Sequence, residues 1–250
     1  DMDAFYASVE LLRYPQLAGL PVVIGGRRRA EDDALASAFD GRLAEIPLDR
    51  FARLQGYVGR GVITTATYAA RAFGVGSAMG LMKAARLCPQ AILLPVDFAE
   101  YRRYSRRFKE VILSIAPVME DRGVDEVYID FTHVPGGQRE GGRVLARLLQ
   151  RSILEATGLS CSIGVAPNKL LAKMASEFQK PGGISIVQPE ELQALVWPLA
   201  CRKINGIGPK ADAKLQAHGI RTIGELAACP RDWLVAHFGK STGLWLHEVA

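Results

Sequence analysis

Short strand patterns alternate with helical ones up to about residue 188, and only short helical patterns follow from about residue 190. That break confines the chain to a mixed α/β body followed by a small all-helical module. Apolar runs at 21–26, 61–66, 91–94, 124–131, 160–166 and 184–187 read as strands. Helical patterns lie between them: one that stops near Pro15, then 68–73, 79–87, 97–116, 142–157 and one capped by Asn168 that runs to about Gln179. Residues 27–60 differ. They open with Arg27, Arg28 and Arg29, continue with Glu31, Asp32 and Asp33, and have weak apolar periodicity. They read as an inserted, mobile surface segment with a short helix around 47–54.

Composition narrows the function classes. The 250 residues are 49% hydrophobic and 23% charged, which excludes a disordered chain, a collagen or a disulfide-stapled miniprotein. No run of apolar residues is long enough for a membrane helix. Thirty-one basic against 26 acidic residues leave a net charge of +5, which permits a polyanionic partner without requiring one. Cys88, Cys161, Cys201 and Cys229 are scattered among apolar neighbours, and the four histidines are equally dispersed. They read as reduced thiols and ordinary structural histidines of an intracellular protein, not as zinc ligands. No positively charged stretch followed by an apolar one is seen, so no signal peptide is read here, and a motif that begins at the first residue reads as a piece of a longer protein.

Three groups of residues carry chemistry. First, Asp125 and Glu126 are adjacent in an otherwise apolar strand, and Asp1 and Asp3 sit at another strand end. Burying carboxylates is costly without compensation. They either face water and cap backbone groups, or hold a hard divalent cation such as Mg²⁺. Second, Tyr68 and Arg71 share one helix face, and Lys180 precedes Pro181 and two glycines. Arginine can grip phosphate oxygens bidentately and lysine adds point charge, although either is usually just solvated. The basic helix with Arg102, Arg103, Arg106, Arg107 and Lys109 has the same two readings. Third, Ile204-Asn205-Gly206-Ile207-Gly208-Pro209-Lys210 has the shape of a helix-hairpin-helix. Its glycines allow a sharp turn and expose backbone N–H groups at a helix start, where a phosphate can bind.

Together, DMDAFYASVE (1–10), TATYAARAFGVGSAM (65–79), VDEVYIDFT (124–132), SIGVAPNKLLAKMASEFQKPGG (162–183) and NGIGPKADAKL (205–215) resemble the Y-family translesion DNA polymerases, most closely the bacterial DinB type. The resemblance implies an α/β (α+β) fold: an antiparallel palm sheet with packed helices, a small fingers subdomain and an all-helical thumb with a helix-hairpin-helix. It divides the chain into palm at 1–20, fingers at 21–80 including the insertion, palm again at 81–188 and thumb at 189–250. The C-terminal little-finger domain and the strand leading into Asp1 fall outside the sequence.

It also implies roles. Asp1, Asp125 and Glu126 would be the catalytic carboxylates. With the Met2 carbonyl they would hold two Mg²⁺ ions, for which Mn²⁺ could substitute. Phe5, Tyr6, Thr65, Tyr68, Arg71 and Lys180 would bind the incoming dNTP, with Tyr6 as the steric gate against a ribose 2′-OH. Lys169, Lys173, Gly206, Ile207, Gly208 and Lys210 would contact DNA. Primer–template DNA and dNTPs are the implied partners, with a sliding clamp bound through a tail beyond this sequence. The implied state is a cytoplasmic bacterial monomer away from membranes. Gly123 stands where the family usually has Ser, and Asp212 where the hairpin usually has a small apolar residue.

Two other readings compete: a catalytically silent, Y-family-like DNA-binding accessory protein, and a nucleotidyl cyclase on a related sheet. The carboxylates, Arg71 and Lys180 favour an enzyme over the first. The hairpin argues against the second, because a cyclase has no duplex to hold.

Overall fold

The computed structural model describes residues 1–250. Seven strands form: β1 (Val22–Gly25), β2 (Ile63–Ala66), β3 (Ile92–Leu94), β4 (Met119–Asp121), β5 (Val127–Ile129), β6 (Ile163–Val165) and β7 (Ile184–Ile186). The α-helices are α1 (Phe5–Arg13), α2 (Ala30–Ala38), α3 (Tyr68–Arg71), α4 (Leu81–Leu87), α5 (Phe98–Ile115), α6 (Arg143–Thr157), α7 (Lys169–Ser176), α8 (Leu192–Leu195), α9 (Pro209–Ala217), α10 (Ile223–Ala227), α11 (Arg231–Phe238) and α12 (Lys240–Val249). No helix is long and apolar enough to cross a membrane. All four cysteines are free thiols. The chain forms two compact units: residues 2–127 with 151–160, and residue 1 with 128–150 and 161–250.

The first unit is organised by β1, four residues buried on both faces, antiparallel to β2 and parallel to β3. Its register slips between Ile24 and Gly25. A Cβ on Gly25 would stand 2.8 Å from the Val62 carbonyl oxygen, so the close approach needs glycine. Val23, Leu54, Ile63, Ala66, Ala70, Leu81 and Ala84 close one core around this sheet.

The insertion departs from expectation. α2 buries no residue, but Ile46, Phe51 and Leu54 are buried. Arg53 bridges to Ile92, Leu93 N–H donates to Ala52 O, and Leu54 N–H donates to Ala91 O. The second half of the segment is therefore pinned along β3. The helix expected around 47–54 is only a 3₁₀ turn at Leu48–Arg50, because those backbone groups pair with the β3 edge instead of with each other.

In the second unit, β6, α7 and β7 form a crossover in which β6 and β7 pair parallel. The antiparallel arrangement expected of the palm strands does not include this pair. A strand–helix–strand run with the helix on the sheet returns the chain in the same direction. Beyond β7, Val196, Cys201, Ile204, Ile207, Leu215, Ile223, Leu234 and Leu246 pack into the core of the helical module. That module contains no strand, as the apolar pattern predicts.

Candidate active site

The residue pair expected inside a long strand lies elsewhere. The run at 124–131 is a strand only over β5, and β4, at Met119–Asp121, was not predicted. Asp125 and Glu126 occupy the turn leading into β5. That turn is stapled by Lys109, whose Nζ donates to Asp121 Oδ1 and Oδ2 (2.9 and 2.8 Å) and to the Gly123 carbonyl (2.6 Å). Gly123 has φ +142°, so the glycine suits its backbone. The basic helix thus gives one residue to shaping the carboxylate turn. Met2 N–H donates to the Asp125 carbonyl (2.9 Å), which ties the chain start to that turn.

Tyr6 projects from α1, whose N-cap Ala4 is left-handed at φ +41°. Its ring stacks on Tyr101 (4.2 Å, 17°) and meets Phe98 edge-on (5.9 Å, 82°). Phe5 is buried beside it, edge-on to Phe108. Burial first, then the Asp125 carboxylate, pushes the Tyr6 hydroxyl above the usual tyrosine range, with Arg102 opposing. Asp3 does not join the catalytic candidates. It is buried, takes a hydrogen bond from Ser160 Oγ (2.8 Å), and its carbonyl accepts from Ser8 Oγ (2.6 Å).

The expected phosphate readers of the first unit are brought together. Thr67 caps α3, taking a hydrogen bond from Ala70 N–H. One turn on, Arg71 lies over the Tyr68 ring at 4.7 Å. Its Nε donates to the Ala66 carbonyl (3.0 Å) and an Nη to Thr65 Oγ1 (3.4 Å). Arg71 forms no ion pair, so its held guanidinium has no carboxylate competing with an external anion.

Sequence reasoning missed a neighbouring network. Buried Glu10 takes both Nη2 hydrogen bonds of Arg13 (2.9 and 2.7 Å) and one from the Tyr101 hydroxyl (2.6 Å). Arg13 also donates to Asp97, the N-cap of α5. Burial pushes the Glu10 carboxyl up, opposed by Arg13 and Tyr101. The available signal was a glutamate among the buried positions of an apolar helix with an arginine three residues on.

In the second unit, Asp1 pairs its backbone with Ser162. Its carboxylate carries an ammonium on each oxygen: Lys173 on Oδ2, and Lys180 on Oδ1 at 2.8 Å. Glu177 joins both lysines, at 3.7 and 2.8 Å. Lys173, expected at DNA, and Lys180, expected at the triphosphate, are thus both on Asp1, and Lys180 is equally close to Glu177. Lys169 sits over the Tyr128 ring at 5.9 Å.

No three His, Cys, Asp or Glu side chains are gathered as a metal cluster. The donor chemistry nevertheless fits magnesium. The carboxylates offer hard oxygens, and both oxygens of Asp1 already accept a cation.

The hairpin forms as expected. Gly206 has φ +106°, and a Cβ there would stand 2.8 Å from the Trp245 ring. Ile207 is buried, and Gly208 caps α9 with Pro209 in its first turn. Gly208 is exposed, and a Cβ there would meet nothing within 4 Å, so its bare backbone is open to a ligand. Lys210 is exposed beside it. Asp212 disturbs no packing: it lies in the first turn of α9, accepts from Gln216 Nε2 (2.9 Å), and leaves the core to Leu215.

Residues 1–177 match the impB/mucB/samB family, and residues 189–220 match that family's HHH motif. The chain belongs to the Y-family DNA polymerases. Curated relatives of this family agree. The chain is 39% identical to DNA polymerase IV of Xanthomonas euvesicatoria pv. vesicatoria over 240 residues, which are 96% of this chain and 58% of the relative. It is 37% identical over 250 residues to DNA polymerase IV of Methanoculleus marisnigri, covering all of this chain and 61% of that one. Solved Y-family structures are similar along the whole chain: an insertion ternary complex of Dbh DNA polymerase (TM-score 0.81, 30% identity, 65% of that chain) and DinB from Sulfolobus solfataricus (0.80, 30%, 65%). The chain therefore spans about three fifths of the length of these curated relatives.

Proposed function

We propose that the protein is a DNA-directed DNA polymerase of the translesion type, adding dNTPs to a primer 3′-OH in the bacterial cytoplasm. The observation that carries this is Arg71, held over the Tyr68 ring and hydrogen-bonded to Ala66 O and Thr65, in a Y-family chain that retains Asp1, Asp125 and Glu126. Residues 1–20 and 81–188 would serve as palm, 21–80 as fingers and 189–250 as thumb. Primer–template DNA and dNTPs are the substrates, and a sliding clamp the partner outside this sequence.

Asp1, Asp125, Glu126 and the Met2 carbonyl would hold magnesium. Two such ions, when bound, stabilise the attacking and leaving oxygens of an in-line phosphoryl displacement. Arg71, with Tyr68 and Thr65, grips and orients the triphosphate, and Lys180 adds charge once released from Asp1. Tyr6, propped by Tyr101 with Phe5 behind it, blocks the space of a 2′-OH. The open backbone at Gly206–Gly208, with Lys210, holds a DNA strand by its phosphates, and Lys169 and Lys173 add contacts.

The test is primer extension by the full-length protein with Mg²⁺ and dNTPs, beside Asp125→Ala. Extension that the variant loses while still binding primer–template supports the reading. A folded, DNA-binding wild type without extension would point to the silent accessory protein. In the same assay Tyr6→Ala should admit ribonucleotides, and unchanged sugar discrimination would remove Tyr6 from its role.

A further inference from the structure

We propose that the arginine face of α5, formed by Arg102, Arg106 and Arg107, binds the phosphate backbone of nucleic acid alongside the site at Tyr6. The inference rests on the polymerase reading and adds a contact surface to it. α5 buries Tyr101, Ser105, Phe108 and Ile112 on one side. Its other side carries five basic residues between 102 and 109.

Two of the five are engaged inside the protein. Arg103 pairs with Glu100 at 2.6 Å, and Lys109 holds Asp121 and Gly123. Arg102, Arg106 and Arg107 are exposed and form no ion pair. Glu110, the one carboxylate between Arg102 and Ile112, pairs with none of them.

A helix face that is merely solvated usually alternates charge so that neighbours three or four apart attract. Here Arg102 and Arg106 are like charges one turn apart, about 6 Å along the axis. Their mutual repulsion is relieved by a partner that brings several negative charges in a row. Arginine also matches a phosphate with two parallel N–H groups.

Position supplies the second argument. The first turn of α5 lies against Tyr6, through Tyr101 at 4.2 Å and Phe98 at 5.9 Å, so the arginine row starts one residue past the residue that props the gate. A lipid surface fits poorly, because the apolar side that would enter it is already buried in protein.

The experiment measures binding of a fluorescent primer–template duplex to the full-length protein across a salt series, for wild type, Arg106→Gln/Arg107→Gln and Arg106→Lys/Arg107→Lys. Each lost phosphate contact lowers the slope of log K against log salt by about 0.9. The Gln pair should therefore flatten the slope by up to about 1.8 and weaken binding, and the Lys pair should restore the slope. Arg107→Glu alone should weaken binding further than neutralising that residue. An unchanged slope in folded variants, judged by thermal melting, overturns the proposal. So does a loss that the Lys pair fails to restore. Loss of primer extension in the wild type would instead overturn the polymerase reading, whatever the slopes.

Discussion

Two carboxylate–cation clusters in this chain look alike and are built for different ends. Around Glu10, an arginine Nη2 spanning both oxygens and a tyrosine hydroxyl meet a carboxylate that is 1% exposed. The arginine continues to the cap of the longest helix. Around Asp1, two lysines meet a carboxylate backed by Glu177, whose side chain is 47% exposed. The first is a planar, directional lattice in which every partner is also a structural element. The second is a set of point charges on flexible stems that can exchange partners. A carboxylate whose cations can leave is free to take another cation. One held in the interior by an arginine and a tyrosine is not.

The comparison can be broken at several points. Asp1→Asn should lower incorporation about 10³-fold, the scale of losing a preorganised electrostatic group, with a smaller effect on stability than Glu10→Ala. Steady-state kinetics beside urea unfolding checks it, and a large stability loss with normal kinetics would invert the assignment. Glu10→Ala should do the reverse, destabilising by about 3–5 kcal/mol because Arg13 and Tyr101 lose their buried acceptor. Urea unfolding measures this, and a change below 1 kcal/mol would show that the interior tolerates an unpaired Arg13. Arg71→Ala, at a cation with no carboxylate at all, should cost about 10–100-fold in kcat/KM for dNTP with stability little changed. Arg71→Lys should recover part of it, and full activity in the alanine variant would remove Arg71 from the triphosphate site.

The smallest effect is at Glu177. Burial pushes its carboxyl up, but Lys180 and then Lys173 more than offset this, leaving it below the ordinary value of 4.5. Because the folded-state value is the lower one, its stabilisation is complete above the ordinary value and is lost as pH falls through the lowered one. Glu177→Gln should flatten that acid limb by less than about 1 kcal/mol, measured by thermal melting between neutral and acid pH.

Much of the local geometry at the proposed site was legible because its signals are local. Asn168 caps α7 through its own side chain, accepting from Leu171 N–H at 2.9 Å. Gly206 and Pro209 declare the hairpin by what their backbones permit. Tyr68 and Arg71 share a face because a helix puts residues three apart together. β4 was missed because three residues, two of them acidic, carry no strand pattern of their own. Ile46, Phe51 and Leu54 were missed because their burial depends on the β3 edge, nearly forty residues away along the chain.

By itself the sequence determined the mixed α/β body and helical end and the family, and it singled out the side chains proposed to bring chemistry. These follow from periodicity and from caps and turns whose physics acts within a few residues. Tertiary structure alone decided what each charge meets: Glu10 locked by Arg13, Lys109 spent on the carboxylate turn, and Lys173 and Lys180 on Asp1. Electrostatic partners are chosen by distance in space and by desolvation, and sequence separation carries neither.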